Sequence, residues 1–367
     1  MTSVAPYSAD NFIYIGTQTK FGTSKGIYAF RFDPVAGKVE KASPVAEASN
    51  PSFLTQHPRL GVLYAACDVP SSEGMITGTV SAYALDAMSG CLASLNSVQV
   101  GTPGAPCHLA ISTDGQALLS AYYYTGVASS LSVQPDGRLG MLVSHILHEG
   151  PTGPNAARQT RPHAHAVTIS PDGRFVFACD LGMDRVLRYA LDSRQAKLTP
   201  AEPAFIQSAP GVGPRHAEFS SDGRHFYVLN ELAGSLDVFS YHAPDGGLSL
   251  LQTLSTLPKG FTGQNISAEV QIHRNGRFVY ASNRGHDSLA VFQRDEASGR
   301  LALVEHMPSG GRHPRHFALS PDNAFLFCAN RDTNNIAVFR VNGQTGKLEK
   351  TGLDVTVPTP TCVLFAR

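Results

Sequence analysis

The stretch HAVTISPDGRFVFACD, residues 165–180, decides the fold. Its two short runs mix apolar residues with small or polar ones and are rich in β-branched and aromatic types, as half-buried strands require. Between them stands Pro171-Asp172-Gly173, and an Asp-Gly pair supplies the positive φ that a tight hairpin needs. The pattern recurs as RHAEFSSDGRHFYVLNE at 215–231, EVQIHRNGRFVYASNR at 269–284 and RHFALSPDNAFLFCAN at 315–330. Weaker copies turn at PRLG (58–61) and STDG (112–115). The six turns end at residues 61, 115, 173, 223, 276 and 323, with gaps of 54, 58, 50, 53 and 47 residues.

A third β-rich run follows each strong copy: RVLRYALD (185–192), SLDVFSYH (235–242), SLAVFQRD (288–295) and NIAVFRVN (335–342). A fourth, weaker run comes after a second Gly-containing turn, as in GKLEKTG at 346–352. Four strands in a repeat of this length predict a propeller blade. The chain ends supply a seventh blade. NFIYIGTQ (11–18), GIYAFRFDP (26–34) and GKVEKAS (37–43) read as its second, third and fourth strands, and TCVLFA (361–366) as its innermost. Pairing the ends closes the ring and removes exposed sheet edges. The expectation is an all-β, seven-bladed propeller with four-stranded antiparallel blades, one domain spanning 1–367.

The bulk composition agrees. Hydrophobic residues make up 42% and charged residues 16%, enough apolar content for a large core. Lys+Arg and Asp+Glu are both 29, so no global field draws the chain to nucleic acid or an anionic membrane. No apolar run is long enough to predict a membrane-spanning helix. Met1 to Asp10 has neither a basic start nor an apolar stretch, so no signal peptide is expected and the predicted setting is cytoplasmic. Cys67, Cys91, Cys107, Cys179, Cys328 and Cys362 form no CxxC pair and read as reduced structural thiols.

The hairpins place a site. Residues just before the first strand of a blade and just after the second meet at one end of the ring, near its axis. The pairs are His165 with Asp180, Arg215 with Glu231, Glu269 with Asn283 and Arg284, and Arg315 with Asn330. One blade earlier the pair is His108 with Tyr122 or Tyr123. Such a concave cluster of ionisable groups is the default candidate site. A neutral imidazole is the natural base near pH 7, which nominates His163 or His165. Arg215 and Arg284 can hold an anion bidentately or stabilise developing charge. Glu231 can orient the His or act as acid/base, and Glu269 can orient an Arg or bind substrate hydroxyls. His313 and Arg315 add a cationic corner, and His286, Asp180 and Asn330 complete the substrate-binding set. Bland readings stand beside these. Alternation places His216 and His316, which follow an Arg, on the opposite side of the strand as packed or hydrogen-bonded groups. Arg215 and Glu231 can be an ion pair that ties a hairpin. Asp172, Asp222 and Asp322 are turn formers.

At these residues the chain resembles the seven-bladed propeller lactonase family, which includes propeller-type 6-phosphogluconolactonase and the 3-carboxy-cis,cis-muconate lactonizing enzyme. The resemblance runs through RPHAHAVTISPDGRFVFACDLGMDRV, GPRHAEFSSDGRHFYVLNEL, SAEVQIHRNGRFVYASNRGHDSLAVF and HPRHFALSPDNAFLFCANRDTNNIAVF, and covers essentially the whole chain. It implies a site without metal or other cofactor that acts on a small lactone. The His, Arg and Glu proposed for the lactonizing enzyme fall on His163 or His165, Arg215, Glu231 and Arg284. One departure is Gln264 in FTGQNISAE, where the family often has Glu. The leading expectation is hydrolysis of a sugar lactone, 6-phosphogluconolactone first, by a monomer or dimer. The alternatives are a carboxymuconate cycloisomerase, a non-catalytic ligand-binding propeller, and a Ca²⁺ or Zn²⁺ lactonase using Asp180, Glu231, Glu269 and Asn330, which the neighbouring Arg residues oppose.

Overall fold

The computed structural model describes residues 12–20, 22–70 and 76–366. Its strands form seven antiparallel sheets with no helix among the described residues. Six sheets are consecutive four-strand meanders, whose innermost strands begin at Phe53, His108, Ala164, Pro214, Ile266 and Pro314. The seventh blade is built from both ends of the chain. Its innermost strand, Pro360–Phe365, pairs with Phe12–Thr17, and Gly26–Asp33 lies next. The fourth strand there differs from expectation. Lys38–Val39 makes only a short pair, and the main outer strand is Ser43–Glu47, opposite Gly26–Ala29. In the sixth blade too the outer strand, Leu348–Thr356, starts later than the Gly-turn reading placed it.

Aromatic and aliphatic side chains fill the wedges between blades. At the closure, Phe32 of the seventh blade meets Phe325 and Phe327 of the sixth edge-on, at 4.8 and 5.1 Å between ring centroids. Among the described residues a second device ties four of the blades to the next. The hydroxyl of a second-strand Tyr donates to a Gly carbonyl in the outer turn of the following blade. The bonds are Tyr14–Gly90 (3.0 Å), Tyr64–Gly137 (2.8 Å), Tyr227–Gly299 (2.8 Å) and Tyr280–Gly346 (2.9 Å). Each Gly has positive φ, and at Gly346 an added Cβ would sit 2.4 Å from the Phe278 ring. A turn this tight admits no side chain. Tyr280→Phe leaves a buried carbonyl without its donor and should lower stability by about 1 kcal/mol, read from urea unfolding midpoints. No change would mean that solvent reaches the carbonyl.

The innermost strands carry the feature that shapes the centre. Near the upper end of this strand, five of the seven blades hold one extra residue. Ala164 opposes Asp180 but Ala166 opposes Cys179, leaving His165 as the surplus. Arg215 and Arg315 are surplus in the same way. Ala268 and Glu269 share one opposing position, and Thr361 is the surplus residue of the closing blade. A β-bulge re-aims side chains and breaks strict alternation. The free inner edge of these strands is capped by side chains from the preceding blade, an edge solution with no added strand. Val167 N–H donates to His108 Nδ1 (3.4 Å), Ile272 N–H to Glu218 (2.9 Å), Leu319 N–H to Gln271 (3.0 Å) and Val363 N–H to His316 Nδ1 (3.2 Å).

Candidate active site

The bulges deliver their residues to the upper axis. Arg215 donates from Nε to Glu231 Oε2 at 2.9 Å and from Nη1 to the Ala268 carbonyl. Arg284 donates from Nη2 to the same Oε2 at 2.8 Å. Oε1 accepts from Arg158. One carboxylate thus binds three guanidiniums. Arg215, Arg284 and Glu231 are buried, whereas the Arg158 side chain is 33% exposed and so faces the mouth. Burial opposes ionisation of Glu231, but Arg284 and Arg215 override it and hold the carboxyl far below the usual carboxylate range. Glu231 is thus the counter-charge of the cluster, the ion-pair reading that stood beside its acid/base role.

Tyr123 and two imidazoles form the next wall. His163 donates from Nδ1 to the Tyr123 carbonyl at 2.7 Å and stacks on its ring at 4.3 Å. That bond fixes the tautomer and leaves the Nε2 lone pair free. His165 meets the Tyr123 ring edge-on at 5.4 Å, with Nε2 4.0 Å from Glu231 Oε2 and Nδ1 3.9 Å from Cys107 Sγ. Burial first, and Arg215 second, push its pKa well below the ordinary value, so this imidazole is neutral at pH 7. The Tyr123 hydroxyl accepts from Arg158 at 3.3 Å. Arg315 borders Arg215, Glu231 and Arg331, yet its guanidinium has no hydrogen-bond or ion-pair partner among the described residues. His313, at positive φ, sits beside Arg284 and Arg331 with Nδ1 3.6 Å from Asp332. Burial and these charges push its pKa down to about 3.

Directly beneath lies a layer that the sequence placed elsewhere. The bulges turn His216 and His316 toward the axis, not to the opposite side of the strand. His216 Nδ1 is 3.0 Å and His316 Nε2 3.3 Å from Glu269 Oε2. His108 joins them, 5.0 Å from the His216 ring and 4.3 Å from Phe53. Glu269 Oε2 thus faces two imidazoles.

Three further expectations are corrected. Asp180 Oδ2 bonds His148 Nδ1 at 2.6 Å, and Oδ1 accepts the N–H groups of His163 and Met183. With both oxygens occupied and no exposure, Asp180 is scaffold. Asn330 is equally buried and donates to the Ser309 carbonyl at 3.0 Å. The inward position is one residue later in the repeat, as Tyr123, Glu231 and Arg284 show. His286 bonds Ser288 Oγ at 2.7 Å and packs on Phe261 at 4.8 Å, outside the arginine cluster. Asp180, Glu231, Glu269 and Asn330 each serve different partners, and no group of three His, Cys, Asp or Glu suited to a metal occurs among the described residues. Arg158 was missed from sequence. It lies in the irregular connection between Leu147 and Ala164, where no strand pattern marks it. A hollow of ≈ 560 Å³ bordered by Arg277, Asp295 and Arg300 lies at the outer turns, and Arg294 beside it is bound to Asp222.

Comparison with known proteins agrees with this architecture. The family model described as "Lactonase, 7-bladed beta-propeller" matches residues 12–365. A curated 6-phosphogluconolactonase of Bacillus subtilis is 36% identical over 352 residues, covering 96% of this chain and 97% of that protein. A 6-phosphogluconolactonase of Formosa agariphila is 31% identical over 349 residues, 94% and 96% of the two chains. The solved periplasmic gluconolactonase of Pseudomonas aeruginosa superposes with a TM-score of 0.90 at 37% identity, covering 97% of this chain and 99% of that one. With a model match across nearly its whole length on a closed seven-bladed ring, the chain belongs to the seven-bladed β-propeller lactonase family.

Proposed function

We propose that this lactonase hydrolyses a phosphorylated sugar lactone, 6-phosphogluconolactone first. One observation carries the reading: among the described residues Arg315 has no hydrogen-bond or ion-pair partner, beside a cluster in which three other arginines share the single carboxylate of Glu231. The chain has no net charge, so this positive surplus is local and matches an anionic substrate. The two curated relatives named above act on the phosphorylated lactone by their names, and the Pseudomonas neighbour on gluconolactone.

In the proposed reaction His163 Nε2 takes a proton from water as its oxygen attacks the lactone carbonyl carbon. Arg215 and Arg315 stabilise the oxyanion or hold the phosphate. The tetrahedral adduct collapses, the ring C–O bond breaks, and the leaving oxygen takes the proton back from His163. The product carboxyl then loses its proton to solvent. His165, kept neutral, lines the site without adding charge.

The test is a panel of phosphorylated and unphosphorylated lactones, scored by acid release with and without chelator. Arg315→Met should raise KM for the phosphorylated lactone about 100-fold and leave that for the unphosphorylated one within a few-fold, as loss of a charged hydrogen-bonded contact predicts. Equal effects on both substrates would remove Arg315 from phosphate recognition. Turnover of no lactone would end the hydrolase reading.

A further inference from the structure

Glu269 and His216 lie under the arginine cluster and take no part in the reaction above. Glu269 Oε1 accepts the Val270 N–H at 3.1 Å. Oε2 faces two imidazoles, at 3.0 and 3.3 Å. His316 already accepts the Val363 N–H at Nδ1, so its own proton is on Nε2 and points to Glu269. His216 is different. Its Nε2 is buried with no partner, so Nδ1 is its one polar contact, and that contact is Glu269. A proton on Oε2 reaches Nδ1 when His216 keeps its own proton on Nε2, which leaves the pair uncharged, whereas Nδ1–H of a neutral His216 faces an ionised Glu269, so the two states differ by one proton on the pair. Arg215 stands over this pair, bonded to the Ala268 carbonyl one residue before Glu269.

We propose that Glu269 and His216 share one proton beneath Arg215, and that losing it weakens the site's hold on an anionic substrate. With Glu269 protonated and His216 carrying its own proton on Nε2, the layer is neutral and Glu231 is the one carboxylate bonded to Arg215. Without it, a second carboxylate faces the same guanidinium and cancels part of the positive surplus. Glu269 is then a positioning residue, acting through Arg215 without touching substrate. The inference rests on the anionic-substrate reading above.

Among the other groups facing Glu269, Glu218 is the one raised into the same range. From the fourth blade come Arg215, His216 and Glu218, from the sixth His316 and Arg315, from the second His108, from the third His165 and from the seventh Cys362. Burial pushes Glu269 up to about 8, with Arg215 opposing and Glu218 adding to the rise. His108 and His316 are pushed down to about 3, and His216 also falls well below its ordinary value, so all three imidazoles stay neutral above pH 6. Cys362 is pushed up to about 12 by burial. Glu218, one layer lower, is itself raised to about 8 by burial.

The probe is inorganic sulfate, whose charge is constant across the range, titrated calorimetrically into the full chain between about pH 6.5 and about pH 9.5 at fixed ionic strength. Unmodified protein should bind it about ten-fold more weakly at the upper limit, the scale of one added charge near the site. Glu269→Gln, which keeps the shape and cannot ionise, should lose most of this fall. Glu218→Gln should shift the fall to lower pH and not remove it. A flat profile for the unmodified protein, or an unchanged fall in Glu269→Gln, overturns the inference and leaves the lactonase reading intact. Should Glu269→Gln not fold, the protonated-carboxyl band of the unmodified protein, followed by difference infrared spectroscopy with Glu218→Gln as background, decides in its place. Its persistence to about pH 9.5 would also overturn the proposal. No sulfate binding at any pH overturns the anionic-substrate reading, and the inference with it.

Discussion

Replacing Glu231 by Gln is expected to lower the unfolding free energy by about 3–5 kcal/mol near neutral pH, because it leaves buried guanidiniums without their counter-charge. Arg215 and Arg284 are 2% and 4% exposed and meet this one carboxylate at 2.9 and 2.8 Å. Arg158 is one-third exposed and can turn outward, so most of the loss belongs to the two buried partners. The effect has a defined dependence on pH. Glu231 is held far below the ordinary carboxylate range when folded, so its contribution is complete above about pH 4.3 and is lost as pH falls through the folded value. The gap between the two proteins in urea unfolding should therefore narrow on acidification below about pH 4. A loss under about 1 kcal/mol at pH 7 would mean that solvent already satisfies the arginines. Activity should fall as well, since Arg215 and Arg284 lose the group that fixes their direction.

Replacing His163 by Ala should lower kcat by about 10²- to 10⁴-fold, the range for loss of a positioned base, with a much smaller change in KM. The reasoning is geometric. Nδ1–H is committed to the Tyr123 carbonyl at 2.7 Å, and the ring stacks on Tyr123, so Nε2 is presented as an acceptor in one orientation. His165 lacks this arrangement. Its Nδ1 is near the Cys107 thiol and its Nε2 near Glu231, while Arg215 and burial disfavour its protonated form. His165→Asn should cost less in kcat than His163→Ala. The reverse order, from initial rates at saturating lactone, would transfer the base to His165. An unchanged thermal midpoint in both variants would show that the loss is chemical.

Much of this protein is legible in its sequence. The Asp-Gly and Asn-Gly turns and their flanking runs specify the hairpins, because turn conformation and strand alternation are local properties. Ring closure by the two ends follows from counting strands. The hairpin arithmetic also brought Arg215, Glu231, Arg284 and Arg315 to one end of the axis. It was off by one residue at Asp180 and Asn330, where the inward position belongs to the next residue along.

What only the tertiary structure decided depends on neighbours about fifty residues away. A bulge is one extra residue in a ladder, and nothing local announces that Arg215 and His216 both face the axis. Whether Glu269 meets substrate or two imidazoles depends on the strands of the adjacent blades. Arg158 enters the site from an irregular connection that has no period to read. Asp180 and Glu231 stand one residue apart in the repeat, since Asp180 opposes Ala164 as Asn230 opposes Pro214. One residue of offset at a strand end makes the first scaffold and the second the centre of the arginine cluster, and the partners that complete each role come from other blades and connections once the ring has closed.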